Sequence, residues 1–306
     1  MHTGCIMALG PRTVSRSRGE HMRVMPEVGA PIGERYTLVG PLGEGGLGTV
    51  WEAEDAALRR RVAIKLARAD TPLNAEHLAR IEREAQLVAQ MDHANIVRVY
   101  DYGVDAGYGP FIAMELLRGH SLEDELEMHG TIRLKEIVAW LGPVADALDV
   151  LHARGVVHRD VKPPNMMRIE KRGGAVVKLL DFGIAAFLDG HERLTSQGCI
   201  VGTPEYMAPE VVEGALATAQ SDVYALAVVA YEALSGALPH DGGSPMEILR
   251  AKATRPAHAL SESTGRMFSL PLEEAFARAL ARDPRRRCRS AGELVDLLRG
   301  CIRGRR

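Results

Sequence analysis

The sequence predicts an α+β chain of two lobes, a small antiparallel β-sheet lobe carrying one helix and a larger, mainly helical lobe after it. Three observations predict this. Short β-type runs separated by glycines begin at Tyr36, one helical stretch interrupts them, and beyond Gly119 the apolar spacing becomes that of helices. The 306 residues, 46% hydrophobic and 25% charged, suffice for a substantial core and match ordinary globular usage, which excludes disordered, collagenous and disulfide-stapled classes. A formal net charge of −2 gives no cationic excess to draw the chain to nucleic acid or an anionic membrane.

Residues 1–33 mix Arg, Ser, Gly and Pro without a long apolar run, so they read as a disordered tail rather than a secretory signal, with Met22 and Met25 as alternative starts. Tyr36 to Val39, Gly48 to Ala53 and Arg61 to Leu66 then read as three sequential antiparallel strands. Asn74 to Gln90 sets Leu78, Ile81, Ala85 and Val88 at helical spacing, and Ile96 to Tyr100 and Phe111 to Glu115 return to strand character. Helices follow at Ile132 to His152, Gln220 to Ser235, Met246 to Ala253, Leu272 to Ala281 and Ala291 to Leu298, several apolar nearly all round and therefore buried. The expected globular unit is 34–299, divided into lobes 34–117 and 118–299, with 300–306 a basic tail. The longest apolar stretches, such as Val223 to Tyr231, fall short of the ~18 residues that a membrane helix needs. Cys5, Cys199, Cys288 and Cys301 are scattered and form no CxxC pair, which suggests neither zinc nor disulfides and fits a reducing cytoplasm.

Gly43-Glu-Gly45-Gly46-Leu-Gly48-Thr-Val50 lies between two strands, where glycines let backbone amides approach a polyphosphate. A strand follows it, whereas a dinucleotide fingerprint opens a helix. Val62-Ala63-Ile64-Lys65 then places a lysine in an apolar strand. A buried ammonium needs an anion, and the following helix offers both Glu82 and Glu84, between which periodicity does not choose.

Next come His158-Arg159-Asp160-Val-Lys162-Pro-Pro-Asn165, Asp181-Phe182-Gly183 and Gly202-Thr203-Pro-Glu-Tyr-Met-Ala208-Pro209-Glu210. With these strings in order, the chain from Tyr36 to Leu298 resembles a eukaryotic-type serine/threonine protein kinase domain, in a bacterial style. The resemblance implies a bilobal kinase-like fold and transfer of the γ-phosphate of ATP to protein hydroxyls. It implies that Lys65 holds the α- and β-phosphates and that Glu84, chosen over Glu82 by its Arg-Glu-Ala context, orients Lys65. Asp160 is the implied base and Lys162 the stabiliser of the transferring group. Asn165 and Asp181 supply hard oxygens for Mg²⁺, with Mn²⁺ as an alternative. Gly43, Gly45 and Gly48 cover the phosphates; Val50, Ala63 and Met167 sandwich adenine, Met114 backs the pocket, and the backbones of Glu115 and Leu117 bond the adenine edge. Lys162 together with Thr203 implies Ser/Thr rather than Tyr specificity.

His158, Phe182 and Val88 are implied to pack as an internal spine, Glu210 and Arg287 to form an ion pair in the large lobe, and Asp222 to brace the catalytic loop. Arg159 beside the base implies a receiver for a phosphate on the activation segment, with Thr195 and Ser196 the acceptors of autophosphorylation, which would pair two copies of the chain. Protein substrates and ATP are the implied partners. The sequence departs from the family at Pro164, where a small residue is usual, at Ala227, which replaces a common glycine, and at Cys288, where proline is frequent after the arginine. None of these removes a catalytic group, which argues against a nucleotide-binding scaffold without turnover. The glycine loop and the segment from Gly202 to Glu210 argue against a phosphotransferase for small molecules. Residues 299–306 read as a solvated basic tail in preference to a juxtamembrane stub.

Overall fold

Alternation along the strand at Val62 to Leu66 fixes the small lobe. Val62, Ile64 and Leu66 are buried with at most 2% exposure, and they pack on Ile32, Tyr36, Leu38, Trp51 and Phe111. Ala63 and Lys65 consequently face the other way, toward the large lobe. The computed structural model describes residues 26–45, 48–67, 82–83, 86–181 and 203–303.

The first sheet contains β1 (Pro31–Ile32), β2 (Tyr36–Gly45), β3 (Gly48–Asp55), β4 (Arg60–Ala67), β5 (Val99–Asp105) and β6 (Gly109–Glu115). Its order is β1-β2-β3-β4-β6-β5, with every neighbouring pair antiparallel. Register aligns Val50 with Lys65 and Lys65 with Ile112, and likewise Ala63 with Met114, so Val50, Ala63, Lys65 and Met114 share one face. Residues 86–89 are helical with Val88 buried, in agreement with the end of the expected helix; Leu78, Ile81 and Ala85 lie outside the described residues.

The large lobe opens with β7 (His120–Ser121), α1 (Leu122–His129) and α2 (Leu134–His152). The Ser121 hydroxyl accepts the Asp124 N–H at 3.1 Å and the Asp124 carboxylate accepts the Ser121 N–H at 2.6 Å, a reciprocal cap that starts α1. A hairpin of β8 (Met166–Lys171) and β9 (Gly174–Leu179) completes a three-stranded sheet, β7-β8-β9. Then come α3 (Pro209–Val212), α4 (Ala219–Ser235), α5 (Pro245–Thr254), α6 (Leu260–Thr264), α7 (Leu270–Ala279) and α8 (Ala291–Arg303). Helix α4 is buried on nearly every face, as its sequence predicts, and the core gathers it with α2, α7 and α8. Each fully buried leucine there, such as Leu141, Leu148, Leu226 or Leu294, contributes roughly 1.5–3 kcal/mol.

Three boundaries differ from the sequence reading. Pro31–Ile32 already pairs with β2, so ordered sheet precedes residue 34, and α8 continues to Arg303 rather than stopping at Leu298. Strand β5 starts at Val99, whereas a strand was expected from Ile96. Ile96 instead makes an isolated parallel bridge to Leu179 and joins the lobes, supported by Val97 N–H to Leu179 O at 3.0 Å.

Candidate active site

The site is built at the junction of β4, the loop before β8 and the end of β9. Lys65 projects from the inner face of β4, and its Nζ lies 2.9 Å from Asp181 Oδ2. Asp181 directly follows Leu180 at the end of β9 and has φ 51°, a left-handed conformation that costs a non-glycine residue about 1–3 kcal/mol. Burial pushes the Asp181 carboxyl up, and the Lys65 charge and hydrogen bond outweigh it, so the group is held below the usual carboxylate range.

The second half is the loop carrying Asp160. Lys162 Nζ lies 3.0 Å from Asp160 Oδ1, and the Asn165 amide donates to Asp160 Oδ2 at 3.0 Å and to its backbone oxygen at 2.7 Å. Both carboxylate oxygens are thereby fixed in direction. The Asn165 Nδ2 is spent on these bonds, which leaves its Oδ1 as the donor for a cation. Pro163–Asn165 forms a 3₁₀ turn with Asn165 N–H bonded to Lys162 O at 3.0 Å. Proline is accepted at the start of such a turn because the missing N–H has no partner to lose, which explains the departure at Pro164.

Leu180 joins the halves. Its N–H donates to Asn165 O at 2.8 Å, and its carbonyl accepts from His158 Nε2 at 2.7 Å. Beneath the loop, Asp222 on α4 accepts the N–H of His158 and of Arg159, each at 2.8 Å, and pairs with His152 Nε2 at 2.7 Å. Arg159 has φ 68°, so the carboxylate secures a strained turn immediately before Asp160. The expected bracing role of Asp222 has this geometry.

Val50, Ala63 and Met114 share the face of the sheet that carries Lys65, Leu117 packs partly buried against the large core, and Met167 lies on β8 opposite Ser121 and Lys178. Met166 is fully buried while its neighbour Met167 is half-buried. The Glu115 N–H is committed to Arg98 O at 2.8 Å, so a ligand bond to this backbone must use the carbonyl. At the other end, a Cβ on Gly48 would meet Leu66 O at 1.9 Å, whereas a Cβ on Gly43 would meet nothing within 4 Å. Gly48 is therefore demanded by the fold, and Gly43 leaves space above the cleft. Gly45 pairs with Gly48 at the tip of the hairpin.

Residues 36–303 match the protein kinase domain family. The chain belongs to the protein kinase family. The serine/threonine-protein kinase PknA of Mycobacterium tuberculosis (strain ATCC 25618 / H37Rv) is 36% identical over 287 residues, covering 92% of this chain and 64% of PknA. The serine/threonine-protein kinase Pkn1 of Myxococcus xanthus is 40% identical over 275 residues, covering 89% of this chain and 39% of Pkn1. The chain thus spans less than two thirds of these relatives. The crystal structure of the Mycobacterium tuberculosis PknI kinase domain matches with a TM-score of 0.72 at 27% identity, covering 90% of this chain and all of that one.

The ion pair expected in the large lobe of the kinase domain forms. Arg287, 3% exposed, donates to Glu210 Oε1 at 2.8 Å and Oε2 at 2.6 Å, and Ser221 adds a bond to Oε1 at 2.9 Å. The neighbouring Cys288 is fully buried, as is Ala227 in the middle of α4, so both departures are core substitutions. Thr203 comes to the site, accepting from Lys162 Nζ at 3.2 Å. Glu82 is exposed and accepts from Gln86 at 3.4 Å, which removes it as the partner of Lys65. Glu84, Phe182, Thr195 and Ser196 lie outside the described residues.

Two positions carry structure that the sequence reading passed over. Lys178 on β9 is 6% exposed and donates to Glu115 Oε2 at 2.8 Å and Ile96 O at 3.0 Å, fastening the strand before Asp181 to the segment between the lobes. A lysine inside Val176-Val-Lys-Leu-Leu180 was its signal. Lys252 on α5 is fully buried and announced by nothing in its helix.

Proposed function

We propose that this domain is a serine/threonine protein kinase that transfers the γ-phosphate of ATP to Ser or Thr hydroxyls of proteins, with Mg²⁺ held by Asn165 and Asp181. The observation that carries the reading is the Leu180 junction, which sets the Lys65–Asp181 pair beside the Asp160–Lys162–Asn165 cluster. Among the described residues no group of three or more His, Cys, Asp and Glu gathers to hold a metal. Oxygen ligands from Asn165 and Asp181 would suit a hard cation and not a soft one. When bound, Mg²⁺ neutralises charge on the phosphate oxygens.

In this reading Lys65 contacts the α- and β-phosphates, and Glu84 orients it. The glycine hairpin, with Gly43, Gly45 and Gly48, lies over the phosphates. Val50, Ala63 and Met167 enclose adenine, Met114 lies behind it, and Glu115 and Leu117 bond its edge through backbone groups. Asp160 accepts the proton of the acceptor hydroxyl as its oxygen bonds to phosphorus and the bond to the β-phosphate oxygen breaks. Lys162, between Asp160 and Thr203, supplies positive charge where the phosphoryl group passes. Activation follows autophosphorylation at Thr195 or Ser196 between two copies of the chain, with Arg159 as receiver of the phosphate. Among the described residues no helix is long and apolar enough to cross a membrane, and a cytoplasmic site of action fits the scattered cysteines.

Incubation of the wild type and Asp160→Asn with labelled ATP, Mg²⁺ and a basic protein tests the reading. Label in protein Ser and Thr with wild type alone supports it. Equal label in both proteins, or transfer only to an aminoglycoside-type acceptor, overturns it.

A further inference from the structure

Lys252 is the one lysine of the described residues with no exposed surface at all. Its Nζ donates to the backbone oxygens of Glu205 at 2.6 Å and Met207 at 2.9 Å. Among the described residues no carboxylate lies within ion-pair distance of it; the Tyr224 ring is 5.1 Å away, with Arg287 over the same ring at 4.8 Å. Burying an ammonium beside two carbonyls and an aromatic face is costly, and a Leu or Met would fill the same volume without that cost. The side chain is therefore spent on the two carbonyls, which belong to the segment from Thr203 to Ala208.

Among the described residues, side chains hold that segment at two other points. Thr203 accepts from Lys162 at 3.2 Å, and the Tyr206 hydroxyl donates to Glu232 at 2.6 Å. Both of these are side-chain contacts. Among the described residues the turn itself is closed by two long bonds, Tyr206 N–H to Thr203 O at 3.2 Å and Met207 N–H to Pro204 O at 3.3 Å. Val211 and Val212 N–H bond Ala208 O at 3.0 and 3.1 Å where α3 begins, and among the described residues the side chain that grips the backbone of the segment from a distant element is Lys252, from α5.

We propose that Lys252 is a positioning residue for the acceptor peptide: it fixes the path of the segment from Thr203 to Ala208, and through Thr203 the placement of Lys162 beside Asp160. This rests on the reading that the segment docks the acceptor. Burial lowers the ammonium pKa to about 7, with Glu205 opposing the shift and Arg287 adding to it. His240, also buried, is held neutral near neutrality, burial and the Lys252 charge lowering it to about 4. A neutral amine keeps two N–H groups, one for each carbonyl, so the grip persists through that titration.

The test uses the full chain, Mg-ATP and one basic Ser/Thr peptide that the wild type phosphorylates. Lys252→Met keeps length and apolar bulk and removes every donor. The expected result is a rise of about tenfold in the peptide KM, or an equal loss of kcat, with the KM for ATP within about twofold of wild type. Lys252→Gln, which retains an N–H₂ donor, is expected to recover part of that loss. Hydrogen exchange of the amides of 205–208 should accelerate in Lys252→Met while α2 and α4 are unchanged. Unchanged peptide kinetics and exchange in Lys252→Met overturn the proposal, as does a parallel rise in both KM values, which marks general loss of structure. Absence of peptide phosphorylation by the wild type overturns instead the reading on which it rests.

Discussion

His158 Nε2 donates to the carbonyl of Leu180 at 2.7 Å, while His158 Nδ1 accepts the N–H of Asp160 at 3.3 Å. A carbonyl only accepts and an amide N–H only donates, so the ring must be the neutral tautomer with its proton on Nε2. Burial, opposed by Asp222 and the Leu180 carbonyl, holds its pKa below the ordinary 6.5. A protonated ring would confront the Asp160 N–H with a second donor. The imidazole is thus a fixed strut between the loop carrying Asp160 and the strand end carrying Asp181.

Nitrogen-15 NMR of the folded protein at neutral pH should accordingly show His158 neutral and protonated on Nε2. The sign for stability follows: the unfolded imidazole takes a proton near its ordinary value while the folded one resists. This group's contribution is complete above the unfolded pKa and declines as pH falls below it. A ring that titrates near its ordinary pKa in the folded state, or carries its proton on Nδ1, contradicts the assignment.

Asp222→Asn should damage the loop without touching nucleotide. One carboxylate oxygen becomes an N–H₂ group set against the N–H of His158 or Arg159, which are accepted at 2.8 Å in the wild type. Leaving a buried donor unpaired costs about 1–3 kcal/mol. Urea unfolding should show a loss of that order, and phosphotransfer should fall in kcat more than in the KM for ATP. Unchanged stability together with unchanged kcat would remove Asp222 from the support of this loop.

The two glycines of the hairpin should separate. Gly48 has φ 148° and no room for a methyl group beside Leu66 O, so Gly48→Ala should cost more than about 1 kcal/mol and lower the melting temperature. Gly43 is open, so Gly43→Ala should leave the melting temperature nearly unchanged while weakening nucleotide binding. Calorimetric titration with an ATP analogue and thermal unfolding of both variants check this. Equal behaviour of the two would mean that neither glycine is present for the ligand.

The order of these elements was readable in the sequence because each has a period or a punctuation mark. Val62, Ile64 and Leu66 alternate around Lys65, and Val223 to Leu234 are apolar on nearly every face; these patterns place β4 inward-facing and α4 at the centre. The strand at Ile96 was misplaced because Ile96 and Val97 are buried by contact with Leu179, not by a ladder, and burial alone does not reveal which. The β8–β9 hairpin passed unread because its turn, Lys171 to Gly174, sits among short mixed runs. Residues whose role is to satisfy a distant backbone carbonyl, Lys178 and Lys252, are the least visible, since their partners are set by tertiary packing. The Glu115 amide, spent on Arg98 O, is hidden for the same reason.

Glu210 and Arg287 give the large lobe an acid-sensitive tie. Burial raises the Glu210 carboxyl and the Arg287 hydrogen bonds and charge outweigh it, so its folded pKa lies below its ordinary 4.5. A depressed carboxyl contributes stability that is complete above the unfolded pKa and is lost as pH falls through the folded value. Glu210→Gln leaves the Arg287 guanidinium buried beside a neutral amide, while its bonds to Gln220 O, Ala281 O and Arg282 O remain. Removing one member of such a buried pair typically costs about 3–5 kcal/mol, and the surviving carbonyl bonds place this case at the lower end. Urea unfolding at pH 7 should show that loss, and the gap between wild type and variant should narrow as pH drops below the ordinary carboxyl range, because the protonated wild type then resembles the variant. Any fall in phosphotransfer should follow the unfolded fraction rather than a change in the KM for ATP. A gap that is constant down to acid pH would show that the tie between α3 and the loop before α8 is not electrostatic.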